Sequence, residues 1–338
     1  MTNLVGIARL AAQSQQLEAK RRVDYLELAT RRYISKCNSP RMPFRWMINP
    51  YRGCEFGCKY CYARYTHEFM ELRDPADFER RIFVKQFDVR AFRRELAKLP
   101  VGESVAIGTA TDPYQPAERR YRLTRAMLEE FARTSGLHVG LVTKSNLVAR
   151  DIDVLREVAR RHLLTVVITI TTLDTALARL LEPMAPRPDL RLAAVRKLSA
   201  AGIRVAVNCC PILPLLNDSD TSLDAVAKAA ATAGAKSLGT NVVYLKDCAK
   251  AVFLPFLDEH FPPLARRYRE RFTNAAYLKG AYPEMIHERA HRIRRRYGLD
   301  HQGDDRQLPD LWPNTKAPAA AENPQMTLFS LEDADAAQ

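Results

Sequence analysis

Apolar and polar positions follow two different periods along the middle of the chain. Short apolar runs rich in β-branched residues recur between longer segments whose apolar positions repeat every three to four residues. The short runs predict strands, and the longer segments predict amphipathic helices. The predicted strands are 45–49, 105–108, 139–143, 164–171, 203–207 and 241–245, and the predicted helices between them are 89–99, 123–133, 152–161, 190–201 and 223–233.

Strands of this kind between helices are typical of a parallel sheet whose outer face is covered. About six strand–helix units predict an α/β fold, a partial (β/α)6 TIM-like barrel, with a doubly wound sheet as the alternative. We expect a helical N-terminal extension over 1–43, the barrel over 44–250, and a basic helical region over 251–300. Residues 301–338 are rich in Pro and Ala, which predicts a disordered tail.

Composition narrows the class of protein. Hydrophobic residues make up 47% and charged residues 27%, the balance of a globular protein. The longest apolar stretch, 163–173, is interrupted by threonines and predicts a buried strand, so no membrane partner is expected. No signal peptide is recognisable at the start, so we expect a cytoplasmic protein whose thiols stay reduced. Seven cysteines in that setting indicate metal binding or catalysis.

The charge is large and unevenly placed. The formal net charge is +13, and all 52 Lys and Arg residues precede residue 317, whereas four acidic residues lie beyond it. A basic surplus of this size favours a polyanionic partner, because cations that neutralise phosphates drive binding to nucleic acid. The alternative is that the charge serves only solubility.

Residues 51–62 (YRGCEFGCKYCY) hold three cysteines in one short loop, Cys54, Cys58 and Cys61. Three thiolates this close can ligate one metal centre if the loop curls around it, and two glycines give the backbone that freedom. Three protein ligands leave one coordination position open, as in catalytic zinc sites. The alternative is a structural zinc site completed by Cys37 or His67.

The spacing C-x-x-x-C-x-aromatic-C after a first strand resembles the radical S-adenosylmethionine superfamily. The resemblance implies a 4Fe–4S cluster on Cys54, Cys58 and Cys61, with S-adenosylmethionine on its fourth iron. It also implies one-electron cleavage to methionine and a 5′-deoxyadenosyl radical, with an electron donor such as flavodoxin or ferredoxin. Tyr60 corresponds to the aromatic residue that lies against the adenine.

A closer resemblance, over residues 49–299, is to the spore photoproduct lyase-related proteins, which are also called DNA repair photolyases. The matching segments are 49–64 (NPYRGCEFGCKYCYAR), 108–118 (GTATDPYQPAE), 142–145, 150–151, 170–174 (ITTLD), 182–183 and 211–218 (PILPLLND). By motif position, Thr111 and Asp112 would contact the methionine amino group, and Lys144 and Ser145 the carboxylate and ribose. A lysine at the open end of a strand also suits a carboxylate counter-ion.

The resemblance therefore implies a radical enzyme acting on DNA, in lesion repair or modification. Radical modification of a protein or small molecule remains an alternative, as does a metal-bearing nucleic-acid adaptor without catalysis.

The pattern departs from the lyase at one important position. The lyase carries a hydrogen-donating cysteine just before its Ser-Asp-Pro, where this chain has Thr109 or Ala110. Neither side chain has an S–H bond to give up. Cys209 and Cys210 offer a substitute, because neighbouring strand residues point to opposite faces and one should face the barrel interior. The alternative is that both are small buried hydrophobic residues.

One short motif interrupts the polar tail. Residues 325–329, from Gln325 to Phe329 (QMTLF), set two apolar residues beside a glutamine in an acidic, Ala/Pro-rich segment. Such motifs fold on a partner. This one is similar to the pentapeptide by which bacterial DNA repair and replication proteins bind the sliding clamp. The alternative is an apolar latch on the protein's own surface, or no role.

Overall fold

The computed structural model describes residues 4–20, 23–39 and 42–300. Two β-sheets organise this part of the chain, one of seven strands and one of four. The large sheet contains β3 (Ile34–Lys36), β4 (Trp46–Ile48), β7 (Ser104–Ile107), β8 (His138–Thr143), β9 (Leu163–Thr169), β10 (Val205–Ile212) and β11 (Ser237–Val242), and the small sheet contains β1 (Gln15–Lys20), β2 (Val23–Leu28), β5 (Tyr51–Arg52) and β6 (Arg81–Lys85).

The large sheet has the predicted topology. Its order is β11-β10-β9-β8-β7-β4-β3, so six strands from β4 to β11 lie side by side in chain order. All six are parallel, and only the edge strand β3 runs antiparallel to its neighbour. Parallel neighbours need crossover connections, which helices provide here. The prediction of an α/β fold of six strand–helix units is confirmed; within the described residues, strand pairing does not close the sheet into a full barrel.

Helices cover the outer face of this sheet and the end of the chain. Those that follow successive strands pack their apolar sides on the sheet, as their periodicity predicts. The helices of the described residues are α1 (Gly6–Ala12), α2 (Tyr65–Glu68), α3 (Asp77–Arg80), α4 (Val89–Leu96), α5 (Glu118–Tyr121), α6 (Leu123–Phe131), α7 (Ile152–Arg161), α8 (Thr175–Leu181), α9 (Pro188–Ala200), α10 (Asp220–Thr232), α11 (Asp247–His260), α12 (Pro262–Phe272) and α13 (Ala281–Arg296), with short 3-10 turns at Tyr62–Arg64 and Asn146–Asp151.

Successive side chains along each strand point alternately to the hydrophobic core and to the inner face of the partial barrel. On β8, Val139 and Leu141 are buried in the hydrophobic core, whereas Gly140 and Val142, which alternate with them, are half-buried on the inner face. Since side chains alternate in a strand, residue 144 just beyond β8 continues the inner row. The same rule orders β10, where Val205, Val207 and Cys209 belong to the core.

The N-terminal region differs from the prediction. We expected helix over 1–43, but among the described residues of this range only α1 is helical, and residues 23–28 form strand β2 instead. Their sequence, VDYLEL, is too short to be a stable helix alone, and parallel pairing with β6 satisfies its backbone groups. Tyr25 is buried, and its hydroxyl donates to the Glu55 carboxylate at 2.9 Å. The segment is thus integrated with the barrel.

The C-terminal region contains helices α11, α12 and α13, and many of its arginines are paired. Arg289 and Arg296 of α13 form ion pairs of 2.5 and 2.6 Å with acids of α10, and Arg269 pairs with Asp258. These arginines therefore join helices and are less available to an outside partner. None of the helices in residues 4–20, 23–39 and 42–300 is long and apolar enough to span a bilayer.

The described chain ends beside the large sheet. Asp300 forms a bridge with Ser237, the first residue of β11, and Leu238 donates a backbone hydrogen bond to the Leu299 carbonyl oxygen. The predicted tail, 301–338, and its motif Gln325–Phe329 lie outside the described residues.

Candidate metal centre and cofactor site

The cysteine loop begins just beyond the carboxyl end of β4, at the edge where the ends of the parallel strands meet. Gly53 opens the loop with φ +80°, and a Cβ there would lie 2.8 Å from two backbone oxygens. Those oxygens belong to Phe78 and Arg81, and the Cys54 N–H donates to the first of them at 2.9 Å. Only glycine fits this close approach.

The three predicted ligands converge in one site. Cys54, Cys58 and Cys61 are free thiols; the charges of Cys58 and Cys61 act on the pKa of Cys54, and the charge of Cys61 acts on that of Cys58, so the three thiols share a single environment. Burial raises the pKa of all three, to about 12 for Cys58. Iron binding must therefore displace their protons.

A single zinc ion does not fit these residues. Zinc thiolates need sulfurs about 2.3 Å from one ion, and across residues 4–20, 23–39 and 42–300 no three His, Cys, Asp or Glu side chains are arranged to hold one ion. His67 instead bonds the Arg81 carbonyl oxygen through Nε2 at 3.1 Å. A four-iron cluster is larger and accepts more widely spread thiolates, so the donor set suits a cluster.

Thr111 and Asp112 lie at the site but are engaged with the protein itself. The Thr111 hydroxyl donates to the Gly53 carbonyl oxygen at 2.5 Å, which ties the cysteine loop to the loop after β7. The Asp112 carboxylate accepts from the Thr143 hydroxyl at 2.6 Å and the Lys144 N–H at 2.7 Å. It thus joins the ends of β7 and β8, and its charge acts on Cys54.

Lys144 reaches the cysteines, whereas Ser145 does not. The Lys144 ammonium lies 5.7 Å from the centre of the Tyr60 ring, and it forms no ion pair within the described chain. Burial lowers its pKa, but the negative charges of Cys58 and Glu182 outweigh burial and raise it overall. A charged, unpaired ammonium beside the metal ligands suits a carboxylate. The Ser145 hydroxyl accepts from the Leu147 N–H and begins a 3-10 turn.

A buried ionic network beneath Tyr60 was not foreseen from sequence. The Tyr60 hydroxyl donates to Glu182, which also accepts from the Thr171 hydroxyl at 2.6 Å. Arg191 forms an ion pair of 2.5 Å with the other Glu182 oxygen, without the alignment of a hydrogen bond. Burial raises the pKa of Glu182, but Arg191 and Lys144 outweigh it, and the pKa falls to about 2. The network fixes the Tyr60 ring.

The two adjacent cysteines of β10 face opposite sides. Cys209 is 1% exposed in the core, and its S–H donates to the Thr171 carbonyl oxygen at 3.5 Å. Cys210 is half-buried on the inner face, where the charges of Lys144 and Arg294 reach it. Burial nevertheless raises the pKa of the Cys210 thiol to about 12. At the lyase cysteine position, Asn49 bonds both Thr109 and the Ala110 N–H.

Comparison with known proteins agrees with this geometry. Residues 48–227 match the family model of the radical SAM superfamily. An uncharacterised Mycobacterium tuberculosis protein is 36% identical over 293 residues, which cover 86% of this chain and 84% of the relative. An uncharacterised protein of the Acidianus two-tailed virus is 29% identical, over 70% of this chain and 82% of its own.

Solved structures share the fold. Spore photoproduct lyase in complex with a dinucleoside spore photoproduct superposes with a TM-score of 0.58 at 16% identity, over 81% of this chain and 79% of the lyase. A variant of the lyase in which phenylalanine replaces one tyrosine gives a TM-score of 0.59 over the same shares. In this superfamily a 4Fe–4S cluster and S-adenosylmethionine together supply a 5′-deoxyadenosyl radical. The cysteine loop, the partial barrel and the sequence match lead to one conclusion: the chain belongs to the radical SAM superfamily.

Proposed function

We propose that this radical SAM enzyme acts on DNA, in repair or modification of a base, as the spore photoproduct lyase-like resemblance implies. Cys54, Cys58 and Cys61 would hold the cluster, and Lys144 the carboxylate of S-adenosylmethionine. Tyr60, Thr111, Asp112 and Ser145 complete the proposed cofactor site. The Tyr60 ring would lie against the adenine, whereas Thr111, Asp112 and Ser145 would hold the loops around the ligand.

The observation that carries the proposal is the extent of the shared fold. The superfamily match covers residues 48–227, whereas the likeness to spore photoproduct lyase extends over 81% of the chain. The likeness thus exceeds the part common to the superfamily. The net charge of +13 supports the same substrate class, because phosphate neutralisation favours nucleic acid.

Cys210 is the proposed hydrogen-atom donor. A radical on the substrate takes a hydrogen atom from an S–H bond, so the donor must be a protonated thiol open to the site. Two features of Cys210 support this role: burial raises the pKa of its thiol to about 12, so the thiol stays protonated, and the residue is half-buried on the inner face, where the charge of Lys144 reaches it. The Cys209 thiol lies in the core on the opposite face. The thiyl radical left on Cys210 would be restored by one electron, from the flavodoxin or ferredoxin that also reduces the cluster, and by one proton from solvent.

Deuterium labelling tests the donor. Thiol hydrogens exchange with D2O, so the product of wild-type protein should carry one deuterium. Cys210→Ala should remove the label, and Cys209→Ala should keep it while destabilising the core. A label that survives in Cys210→Ala would exclude this thiol.

The substrate is tested by anaerobic incubation with reductant, S-adenosylmethionine and either UV-irradiated or undamaged DNA. Mass spectrometry of the nucleosides should reveal one nucleoside that changes only with intact enzyme, and Cys58→Ala is the control. Formation of 5′-deoxyadenosine without a changed nucleoside would indicate another substrate class. No 5′-deoxyadenosine at all would favour a non-catalytic adaptor.

Two further partners belong to the proposal. A flavodoxin or ferredoxin would supply the electron, and a bacterial sliding clamp would bind Gln325–Phe329. The charge supports a clamp-binding tail indirectly, because residues 317–338 lack Lys and Arg and so cannot serve as phosphate contacts. A cytoplasmic location, as expected from the sequence, is part of the same proposal.

A further inference from the structure

Four tyrosine rings meet beside the cysteine loop, and we call them the tyrosine cluster: Tyr62, Tyr65, Tyr244 and Tyr277. The rings of Tyr244 and Tyr277 are stacked, with centroids 4.1 Å apart and planes 18° apart. The Tyr62 ring lies 6.2 Å from Tyr244, and Tyr65 is close enough to Tyr62 to raise its pKa. Tyr62 is 37% exposed, so the cluster presents aromatic surface to solvent.

Three separate segments bring these rings to the mouth of the partial barrel. Tyr62 directly follows the ligand Cys61, and its hydroxyl donates to the Thr109 carbonyl oxygen at 2.5 Å, just beyond β7. Tyr244 follows β11, and Tyr277 lies between α12 and α13. The Leu245 N–H donates to the Ala276 carbonyl oxygen at 2.9 Å, which joins the last two segments.

Two lysines lie close to members of the tyrosine cluster, one in space and one in sequence. The Lys246 ammonium lies 4.0 Å from the centre of the Tyr65 ring, and Lys279 is exposed two residues after Tyr277. An open cleft of about 640 Å³ lies beside one edge of the cluster and is lined by Tyr65, Phe69, Lys246 and Asn274 among others. Its acids are Glu68 and Asp247, and Asp247 is paired with Lys250 at 3.1 Å.

We propose that the tyrosine cluster is a stacking platform for an unpaired nucleobase of the substrate strand, with Lys246 and Lys279 on its phosphates. This rests on the proposed DNA substrate and adds where a base is held. Aromatic faces beside cations fit a nucleobase flanked by phosphates better than they fit an apolar peptide. The base can stack on the rings while its phosphates contact the lysines, whereas an apolar peptide would use only the rings. The base must be unpaired, since a base inside a duplex has no free face.

Binding of a single-stranded oligonucleotide that contains 2-aminopurine tests the platform, because stacking quenches the emission of this base. Wild-type holoenzyme should quench it. Tyr244→Leu and Tyr277→Leu should weaken binding by about five- to a hundred-fold and remove the quenching. The corresponding Phe variants keep the rings and should bind as wild type does. Tyr297→Leu is the matched control, since Tyr297 bonds Asp224 at the end of α13.

The salt dependence of oligonucleotide binding distinguishes the contribution of the tyrosine rings from that of the lysines. The Leu variants should keep the wild-type slope of log affinity against log salt, whereas Lys246→Met and Lys279→Met should each lower it by about one. Iron content of each variant reports whether the protein has folded. If wild type binds with salt dependence but the Leu variants bind and quench equally, the platform is wrong and the DNA proposal stands. If wild type binds no oligonucleotide, both are wrong.

Discussion

Glu182→Gln should be among the most destabilising single substitutions of the site. Glu182 and Arg191 are 2% and 1% exposed, and the Arg191 guanidinium also donates to the carbonyl oxygens of Pro186 at 2.7 Å and Thr169 at 3.1 Å. Removing the carboxylate charge leaves a buried cation uncompensated. Breaking one partner of such a pair costs about 3–5 kcal/mol.

The pKa of Glu182 gives a similar magnitude. A fall from the ordinary 4.5 to about 2 corresponds to roughly 3 kcal/mol of folding free energy. Because the pKa is lowered in the folded protein, this stabilisation is present above about pH 4.5. It is lost as the pH falls towards 2.

Urea unfolding of cluster-free protein at pH 7 measures the effect. Glu270→Gln is the matched control, because Glu270 pairs with Arg266 at 2.7 Å on the surface, where both side chains are more than half exposed. The free energy of unfolding should fall by less than about 1 kcal/mol in Glu270→Gln. Replacing Arg191 by Met together with Glu182→Gln should recover stability, since no lone charge remains. Equal losses for Glu182→Gln and Glu270→Gln would refute the reasoning.

Four other outcomes are expected. Cys58→Ala should reduce iron from about four per chain to background and abolish 5′-deoxyadenosine, as measured by iron assay and chromatography; retained cluster and activity would contradict the ligand assignment. Lys144→Ala should weaken S-adenosylmethionine binding about ten-fold or more in a titration, with iron content unchanged. Gly53→Ala should lose the cluster, whereas Gly102→Ala, with a similar φ but open space around its Cβ, should keep it. A peptide of residues 320–338 should bind the sliding clamp with micromolar affinity, and Ala at both Leu328 and Phe329 should abolish binding in calorimetry.

Much of the barrel could be predicted from local sequence. The helix predicted over 152–161 is observed as Ile152–Arg161, because its apolar positions repeat at the helical period throughout. Strand β2 could not be predicted in this way. One of its two partner strands, β6, begins more than fifty residues later, at Arg81, and that pairing cannot be predicted from the local sequence.

The candidate site likewise contains one part that the local sequence predicts and one part that it does not. The three cysteines lie within eight residues of each other, so spacing alone indicated a metal centre. Glu182 bonds Tyr60 across 122 positions, and the tyrosine cluster draws on three distant segments. Such contacts depend on strand order, and the periodic pattern carries no information about them. The face alternation that separates Cys210 from Cys209 was foreseen, but which one faces inward required the register of β10.

The bridge between Asp300 and Ser237 places the last described residues at the amino end of β11. Ser237 is the first residue of β11, while the cysteine loop lies at the opposite ends of the parallel strands. A six-residue strand spans about 20 Å, so the last described residues lie about one strand length from the edge of the sheet that holds the cysteine loop. The amino end of β11 is therefore covered by the chain itself, whereas the edge that holds the cysteine loop is left clear of these residues.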